Sequence, residues 1–284
     1  MPSFDPISVV ITTYNRSDAL TLVLDGLKQQ TDRNFEVIIA DDGSTLVHQE
    51  KIAQICESSA LAITHVWHPD VGFTASQARN LGVAASNGAY LVLMDGDCVP
   101  EVDFIARHRA LMQAGCFVNG SRVLLGESFT RRLIVGRDSI SDRSVGYWLC
   151  RRLKGDASKL TGLLRLPDFQ YRLQHQFVWK GIRSCNMAVW KSDYLKVNGF
   201  DESFVGWGHE DADFVLRLHN AGVVRKNGFC ATEVYHLWHP DASRAQDGAN
   251  ADKVRQRQKT GQVRSTIGYQ ESKDAPHVVV RSWG

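Results

Sequence analysis

The chain has 284 residues, 43% of them hydrophobic, enough to bury the core of one large α/β domain or two small ones, which excludes a linker or a disordered tail. A formal net charge of +2 carries no global nucleic-acid signature, so no nucleic-acid partner is expected. The six cysteines (56, 98, 116, 150, 185 and 230) are scattered, with neither C-x-x-C pairs nor the density of a disulfide framework, which suits a reducing compartment.

Met1-Pro2-Ser3-Phe4-Asp5-Pro6 lacks a basic stretch followed by an apolar one, and no run of about 18 apolar residues follows anywhere. A cytoplasmic protein is expected, either soluble or peripheral at the inner membrane face. Residues 8–12 read as a β-branched strand, and residues 17–29 as a helix with Leu20, Val23, Leu24 and Leu27 at helical spacing and Ser17 as its N-cap. Residues 35–40 (strand), 46–58 (helix), 63–67 (strand), 75–85 (helix) and 90–94 (strand) continue the alternation. This order predicts an α/β fold, a Rossmann-like wound, mostly parallel sheet with helices on both faces.

Residues 127–172 change character, with ten Lys or Arg against five acids and Tyr147, Trp148, Phe169 and Tyr171 interleaved; they read as an inserted segment of helices and loops. This mix suits either contact with an anionic glycolipid at a membrane face or a solvated lid over a ligand. A strand over 185–190, a helix over 210–221 and a strand over 230–235 follow, and from Asp241 the chain reads as a polar, loosely held tail. The expected organisation is a ligand-binding half (1–125), a second half (126–240) that includes the basic segment, and the tail (241–284).

In wound sheets ligands collect beyond the carboxyl ends of the strands, and there the polar clusters fall. Asp95-Gly96-Asp97 ends the strand over 90–94; its carboxylates can hold Mg²⁺ or Mn²⁺, and its glycine lets a phosphate approach closely. A plain D-G turn is the rival account. His236 and His239, past the last strand, are candidates to complete a metal site, and a mixed oxygen and nitrogen set favours Mn²⁺ over Mg²⁺. Thr12, Tyr14 and Arg16 close the first strand, and Asp41-Asp42-Gly43-Ser44 the second, with acceptors for a uracil NH or ribose hydroxyls or, alternatively, an Asx-turn. Arg79 can offer a cation to a diphosphate.

Glu210 and Asp211 open a helix after Gly206-Trp207-Gly208, which suits dipole complementarity. It equally suits a sugar-acceptor site, with Trp207 stacked on a pyranose face and one carboxylate taking a proton from the attacking hydroxyl. Direct attack opposite the leaving group inverts the anomeric centre, and no second carboxylate stands out as a covalent nucleophile.

The ordered set Val9-Val10-Ile11-Thr12-Thr13-Tyr14-Asn15-Arg16, Asp41-Asp42-Gly43-Ser44, Ala78-Arg79-Asn80 and Asp95-Gly96-Asp97 resembles the family-2 glycosyltransferases of the GT-A fold. Asn198-Gly199-Phe200-Asp201-Glu202, Gly206-Trp207-Gly208-His209-Glu210-Asp211-Ala212-Asp213-Phe214 and Arg217-Leu218 resemble the acceptor-side motif of β-1,4-galactosyltransferases, polypeptide N-acetylgalactosaminyltransferases and bacterial chondroitin-type polymerases. The resemblance implies a UDP-sugar donor and a glycan or glycolipid acceptor. It also implies Asp97 as main metal ligand, Asp95 supporting ribose or metal, His236 completing the metal site, Asp41 facing the base and Asn186 near the donor sugar or its phosphates. Asp211 is then the catalytic base, and Glu210, Trp207 and Gly208 belong to the acceptor. His209 departs from the galactosyltransferase pattern, which has glycine there, and residues 127–172 match no family pattern.

Three other functions compete. A sugar-1-phosphate nucleotidyltransferase needs a Gly-rich loop after the first strand, where this chain has Thr12-Thr13-Tyr14-Asn15-Arg16. The absence of G-x-G-x-x-G there excludes a dinucleotide oxidoreductase. A catalytically silent sugar-nucleotide or glycan-binding protein is disfavoured because every acidic position is present.

Overall fold

The computed structural model describes residues 6–141, 143–240 and 246–284; the N-terminal reading over residues 1–5 and the start of the expected tail lie outside them. Strands β1 (Ile7–Thr13), β2 (Phe35–Asp41), β3 (Ile63–Trp67) and β4 (Tyr90–Asp95) run parallel, with β1 between β2 and β4. Their crossovers are α1 (Ser17–Lys28), α2 (Leu46–Glu57) and α3 (Ala75–Ala84). Helices cover both faces, and alternation along β1 shows how: Val9 and Ile11 enter one core with Leu20, Val23, Leu24 and Leu27 of α1. Val10 points into the other, with Ala78 and Leu81 of α3. Every residue of β4 from Tyr90 to Met94 is fully buried, as a central strand covered on both sides requires.

Gly82 decides how closely α3 lies on the sheet. A Cβ there would come within 2.9 Å of Val10 Cγ1 and 3.0 Å of the Ala40 methyl, so only glycine permits this approach. Arg79, nearly one turn earlier on α3, is thereby set against the rim of the sheet.

The next segment comprises β5 (Cys98–Pro100), α4 (Phe104–Leu111), β6 (Cys116–Asn119), β7 (Ser121–Leu124), α5 (Glu127–Ile134), α6 (Val145–Leu153) and β8 (Leu173–Gln174). Then come β9 (Asn186–Trp190), α7 (Lys191–Lys196), α8 (Glu210–Asn220), β10 (Val224–Asn227), β11 (Glu233–His236), α9 (Asp247–Thr260), α10 (Tyr269–Ser272) and β12 (Val279–Trp283). Among the described residues the main sheet has the order β12-β3-β2-β1-β4-β9-β6-β10-β8, so both expected halves share it, and β9 pairs antiparallel with β4 and β6. A small second sheet, β5-β11-β7, sets His236 directly opposite Cys98.

Four expectations need correction. Ser17 is the first helical residue rather than the cap; Arg16 occupies the cap position, and Ser17 Oγ sits 2.9 Å from His48 Nδ1. The last strand starts at Glu233, because residues 228–232 form a turn in which Cys230 has φ +58°.

The basic segment is helical where expected, but three of its arginines are paired with its own acids: Arg132 and Arg151 with Asp138 and Asp156, and Arg143 with Asp138. Trp148 of the same segment stacks on Tyr235 with ring centroids 4.4 Å apart. Trp148 and these paired arginines thus serve packing while Phe169 and Tyr171 stay exposed, and the segment does not line the large cleft described below.

The polar tail is packed structure. α9 lies against α8 through Val254, fully buried, and β12 adds an antiparallel strand beside β3. Arg257 of α9 bridges Asp213 (2.5 Å) and Asp201 (2.6 Å), both wholly buried. No helix among the described residues is long and apolar enough to cross a membrane, and all six cysteines are free.

Arg257→Ala leaves Asp201 without its cation, so the equilibrium urea midpoint should fall by the equivalent of about 3–5 kcal/mol. Arg255→Ala on the same helix removes only an exposed pair with Asp252 and should stay within about 0.5 kcal/mol of the parent.

Candidate active site

A cleft of about 950 Å³ lies at the carboxyl ends of β1 and β4. Its walls bring together Thr12, Tyr14, Arg16, Asp42, Arg79, Asp95, Gly96, Asp97, Trp207, Gly208, Glu210, Asp211, His236 and His239. Of the residues the sequence singles out, Asp41 and Asn186 do not reach it.

The β1–β4 register pairs Thr12 with Asp95, so the polar ends of these strands are neighbours by construction. The Gly96 N–H donates to the Thr12 carbonyl at 2.7 Å, and a Cβ on Gly96 would stand 3.1 Å from both that oxygen and the Thr13 side chain. The turn between the two aspartates therefore hugs β1.

Asp41 is fully buried: its Oδ1 accepts from the Ser44 N–H (2.8 Å), as an Asx-turn does, and its Oδ2 meets His65 Nε2 at 2.9 Å. Asp42 is the one that faces the cleft, held by the Thr74 hydroxyl (2.6 Å) and N–H (3.0 Å) and by His68 Nε2 at 3.2 Å. The Tyr14 hydroxyl donates to Asp70 Oδ2 (2.9 Å), and Arg16 pairs with Asp18 (3.1 Å). Asn186 lies behind the cleft, where its amide donates to the carbonyls of Ser121 (3.0 Å) and Thr232 and accepts from His108 Nε2 (3.2 Å). It stitches β9 to β7 and to the turn before β11.

Arg79 is 4% exposed and reaches Asp95 at 3.2 Å and Glu210 at 3.5 Å, with its guanidinium 5.0 Å over the Phe200 ring. Burial works against its charge, but the flanking acids outweigh that and raise its pKa further. Beside this pair, Asp211 lines the cleft floor with its Oδ1 accepting from the Ala212 N–H at 2.7 Å. Burial first, and then the neighbouring Glu210 charge, push the Asp211 carboxyl up to about 7.

Across the cleft, Asp97 Oδ2 stands 3.3 Å from His239 Nε2, and its Oδ1 stands 3.6 Å from both His236 Nε2 and Cys98 Sγ. The Leu237 N–H donates to the Asp97 carbonyl at 2.9 Å, so the loop after β11 is pinned to the strand-end turn. Burial depresses the His236 pKa against the pull of Asp97, so the ring stays neutral with a lone pair to offer. One carboxylate facing two imidazole nitrogens fits a divalent cation, with Asp95 two residues away. Asp97, Cys98 and His236 alone place three donor atoms within 4.8 Å of one another.

Several cleft residues are not legible as functional in the sequence. Trp179 and residues 180–185 line the cleft, as does Arg122 of β7. Trp179 packs edge-on against His209, with centroids 5.2 Å apart. Asn250 of α9 donates to the Gly208 carbonyl (3.0 Å), and Asp247 pairs with His209 (3.0 Å). The one available signal is the aromatic and basic run Trp179-Lys180-Gly181-Ile182-Arg183, which lacks a period of either kind.

Comparison with known proteins gives concordant findings. The family described as glycosyl transferase family 2 matches residues 8–176, and the N-terminal domain of galactosyltransferase matches residues 166–240. A validoxylamine A glucosyltransferase of Streptomyces hygroscopicus subsp. jinggangensis is 29% identical over 226 residues, spanning 76% of this chain and 52% of its own length. A chondroitin synthase of Escherichia coli is 29% identical over 234 residues, 77% of this chain and 33% of the relative. The chain thus spans about half the length of the first of these relatives and a third of the second.

The mannosyltransferase PcManGT of Pyrobaculum calidifontis, solved with GDP-Man and Mn²⁺, shares the fold with a TM-score of 0.58 at 16% identity, over 90% of this chain and 66% of that one. With the first match covering well over half of its residues, the chain belongs to glycosyl transferase family 2.

Proposed function

We propose that the chain is an inverting, metal-dependent glycosyltransferase that moves a hexosyl or N-acetylhexosaminyl group from a UDP-sugar to a hydroxyl of a glycan acceptor. The observation that carries this reading is the state of the acids in the cleft. Asp42 contacts His68, Asp95 and Glu210 share Arg79, and Asp97 faces two histidines. Asp211 is the one cleft carboxylate without an ion-pair partner among the described residues. With its pKa near 7, it is matched to taking a proton at neutral pH.

The acceptor oxygen attacks the anomeric carbon as the bond to the diphosphate breaks, and its proton passes to Asp211. Glu210, paired with Arg79, stands beside it and is suited to accept a hydrogen bond from an acceptor hydroxyl. Trp207 presents an indole at the cleft edge as a stacking face for the acceptor sugar. The nucleotide takes the opposite end, where Thr12, Tyr14, Arg16 and Asp42 supply polar groups. Asp97, His236, His239 and Asp95 would hold Mn²⁺ or Mg²⁺, which when bound neutralises the charge of the departing diphosphate. The remaining carboxylates are engaged with cations or histidines, which leaves none poised as a covalent nucleophile and favours inversion. Hydrolysis of a panel of UDP-sugars with Mn²⁺, with GDP-mannose as the contrasting nucleotide, tests the donor class, and preference for GDP-mannose would overturn the uridine assignment.

Asp97→Ala should abolish Mn²⁺-dependent UDP binding in calorimetric titration, and retention of that dependence would remove Asp97 from the metal site. Asp211→Asn should leave UDP affinity close to the parent while transfer falls by roughly 10²-fold or more. The parent transfer rate should rise with pH through about 7 and level off above, because only the ionised Asp211 accepts a proton. Arg79→Gln removes a cation that favours the ionised form, so this limb should move to higher pH; a limb that stays put would place the base elsewhere.

A further inference from the structure

A second hollow, of about 420 Å³, adjoins the cleft and shares Arg122, Leu124 and residues 180, 181 and 183 with it. Arg122, Lys159, Lys180, Arg183 and Arg225 line it, and no carboxylate does. In a chain with 33 Lys and Arg against 31 acids, five cations to none is a strong local excess. Among the described residues none of the five forms an ion pair with a carboxylate. Like charges gathered in one concavity repel one another, a cost that an anion entering the hollow removes.

The hollow is built rather than incidental. Arg225 is almost fully buried, and its guanidinium donates to the carbonyls of Val178 (3.1 Å), Lys180 (3.4 Å) and Gly181 (3.3 Å). It therefore fixes the loop that carries Lys180 and Arg183, while its own Nε is buried without a partner. Lys159 Nζ is steered by the Ser121 hydroxyl at 2.5 Å and by the Phe229 ring at 5.4 Å. Burial pulls Lys159 below the ordinary lysine range, with Glu233 opposing that pull and Arg183 and Arg122 adding to it. An anion at this point would favour its charged form.

The position also separates the hollow from the nucleotide end. It lies at the carboxyl ends of β6 and β10, and β6 is three strands from β1, about 14 Å at the usual strand spacing. Asp211 lines the cleft that adjoins the hollow.

We infer that this hollow binds an oxyanion carried by the acceptor glycan, a sugar carboxylate or a sugar phosphate, so that the chain glycosylates an acidic acceptor. The inference deepens the transferase reading and rests on it for the word acceptor, but its test reads binding, which needs no turnover. The whole chain, with UDP and Mn²⁺ present, is titrated with methyl glucuronide, methyl 6-phosphoglucoside and neutral methyl glucoside. At least one anionic glycoside should bind roughly tenfold more tightly than the neutral one, as expected for charge-assisted hydrogen bonds, and the two anionic arms tell carboxylate from phosphate. Lys159→Gln should shrink that preference to about twofold or less, and Lys159→Arg should retain most of it. Because Arg183 is exposed, Arg183→Gln keeps the test open if the Lys159 variant fails to fold, with the same loss of preference expected. Equal binding of all three glycosides, or a preference that survives both glutamine variants, overturns the inference. Displacement of the bound anionic glycoside by added UDP also overturns it, by giving the hollow to the donor. Loss of UDP-sugar hydrolysis in the parent would instead count against the transferase reading alone.

Discussion

A guanidinium shared by two carboxylates holds the two ends of this site in register. Arg79 leaves α3 almost wholly buried and spans from Asp95, at the end of β4, to Glu210, at the start of α8. Burying an arginine is costly, and the two acids with the Phe200 ring offset that cost. Such a cluster contributes little net stability compared with well-packed apolar residues; what it secures is position, tying a strand end from the first half of the sequence to a helix start from the second. One cation pairs with Asp95 and Glu210 directly and not with Asp211, whose carboxyl burial and the Glu210 charge push up to about 7.

The same device recurs one turn along α8. Asp213, wholly buried, receives Arg217 from its own helix at 2.8 Å and Arg257 from α9 at 2.5 Å, and Arg217 goes on to donate to the carbonyls of Val197 and Gly199. The loop ahead of the helix needs this anchoring. Gly206, Gly208 and His209 all have positive φ (+77°, +110° and +70°), and a histidine in that region costs of order 1 kcal/mol that glycine does not incur. Asp247 and Trp179 hold the imidazole, and Asn250 holds the Gly208 carbonyl, so α9 stabilises a loop conformation that the local sequence disfavours. The departure from glycine at position 209 is therefore supported from the C-terminal region.

This explains what could and could not be read from the residues alone. β1 to β4 and their crossover helices are legible because each buries a continuous or periodic apolar set, and their polar ends fall on one rim by the geometry of a parallel sheet. Helix α9 is not legible, since it buries only Asn250, Ala251 and Val254 and docks through Arg257, a contact without periodicity. β5, β6, β7 and β10 have three or four residues each, too few for a two-residue period to stand out. Asp41 and Asp42 cannot be ranked from sequence, because successive strand residues face opposite ways and the strand's last turn decides which one meets the cleft. Asn186, which the resemblance sets near the donor, is engaged by two backbone carbonyls and one ring.

The distribution of charge along the cleft then constrains how substrates can lie. Asp42, Asp95 and Asp97 stand at the ends of β2 and β4, with Arg122 of β7 within electrostatic reach of Asp95, while Lys180 and Arg183 lie on the loop that the cleft shares with the hollow. On the transferase reading, a diphosphate brought to these strand ends meets three carboxylates, Arg79 is already committed to two acids, and a cation held by Asp97, His236 and His239 would offset the remaining charge. The lining of the hollow carries no carboxylate, so on the inference drawn above an anion needs no such mediator there, and Trp207 and Asp211 lie in the adjoining cleft. On the transferase reading, the donor requires a metal and an acidic acceptor does not, a division set by which strand ends carry acids and which carry arginines.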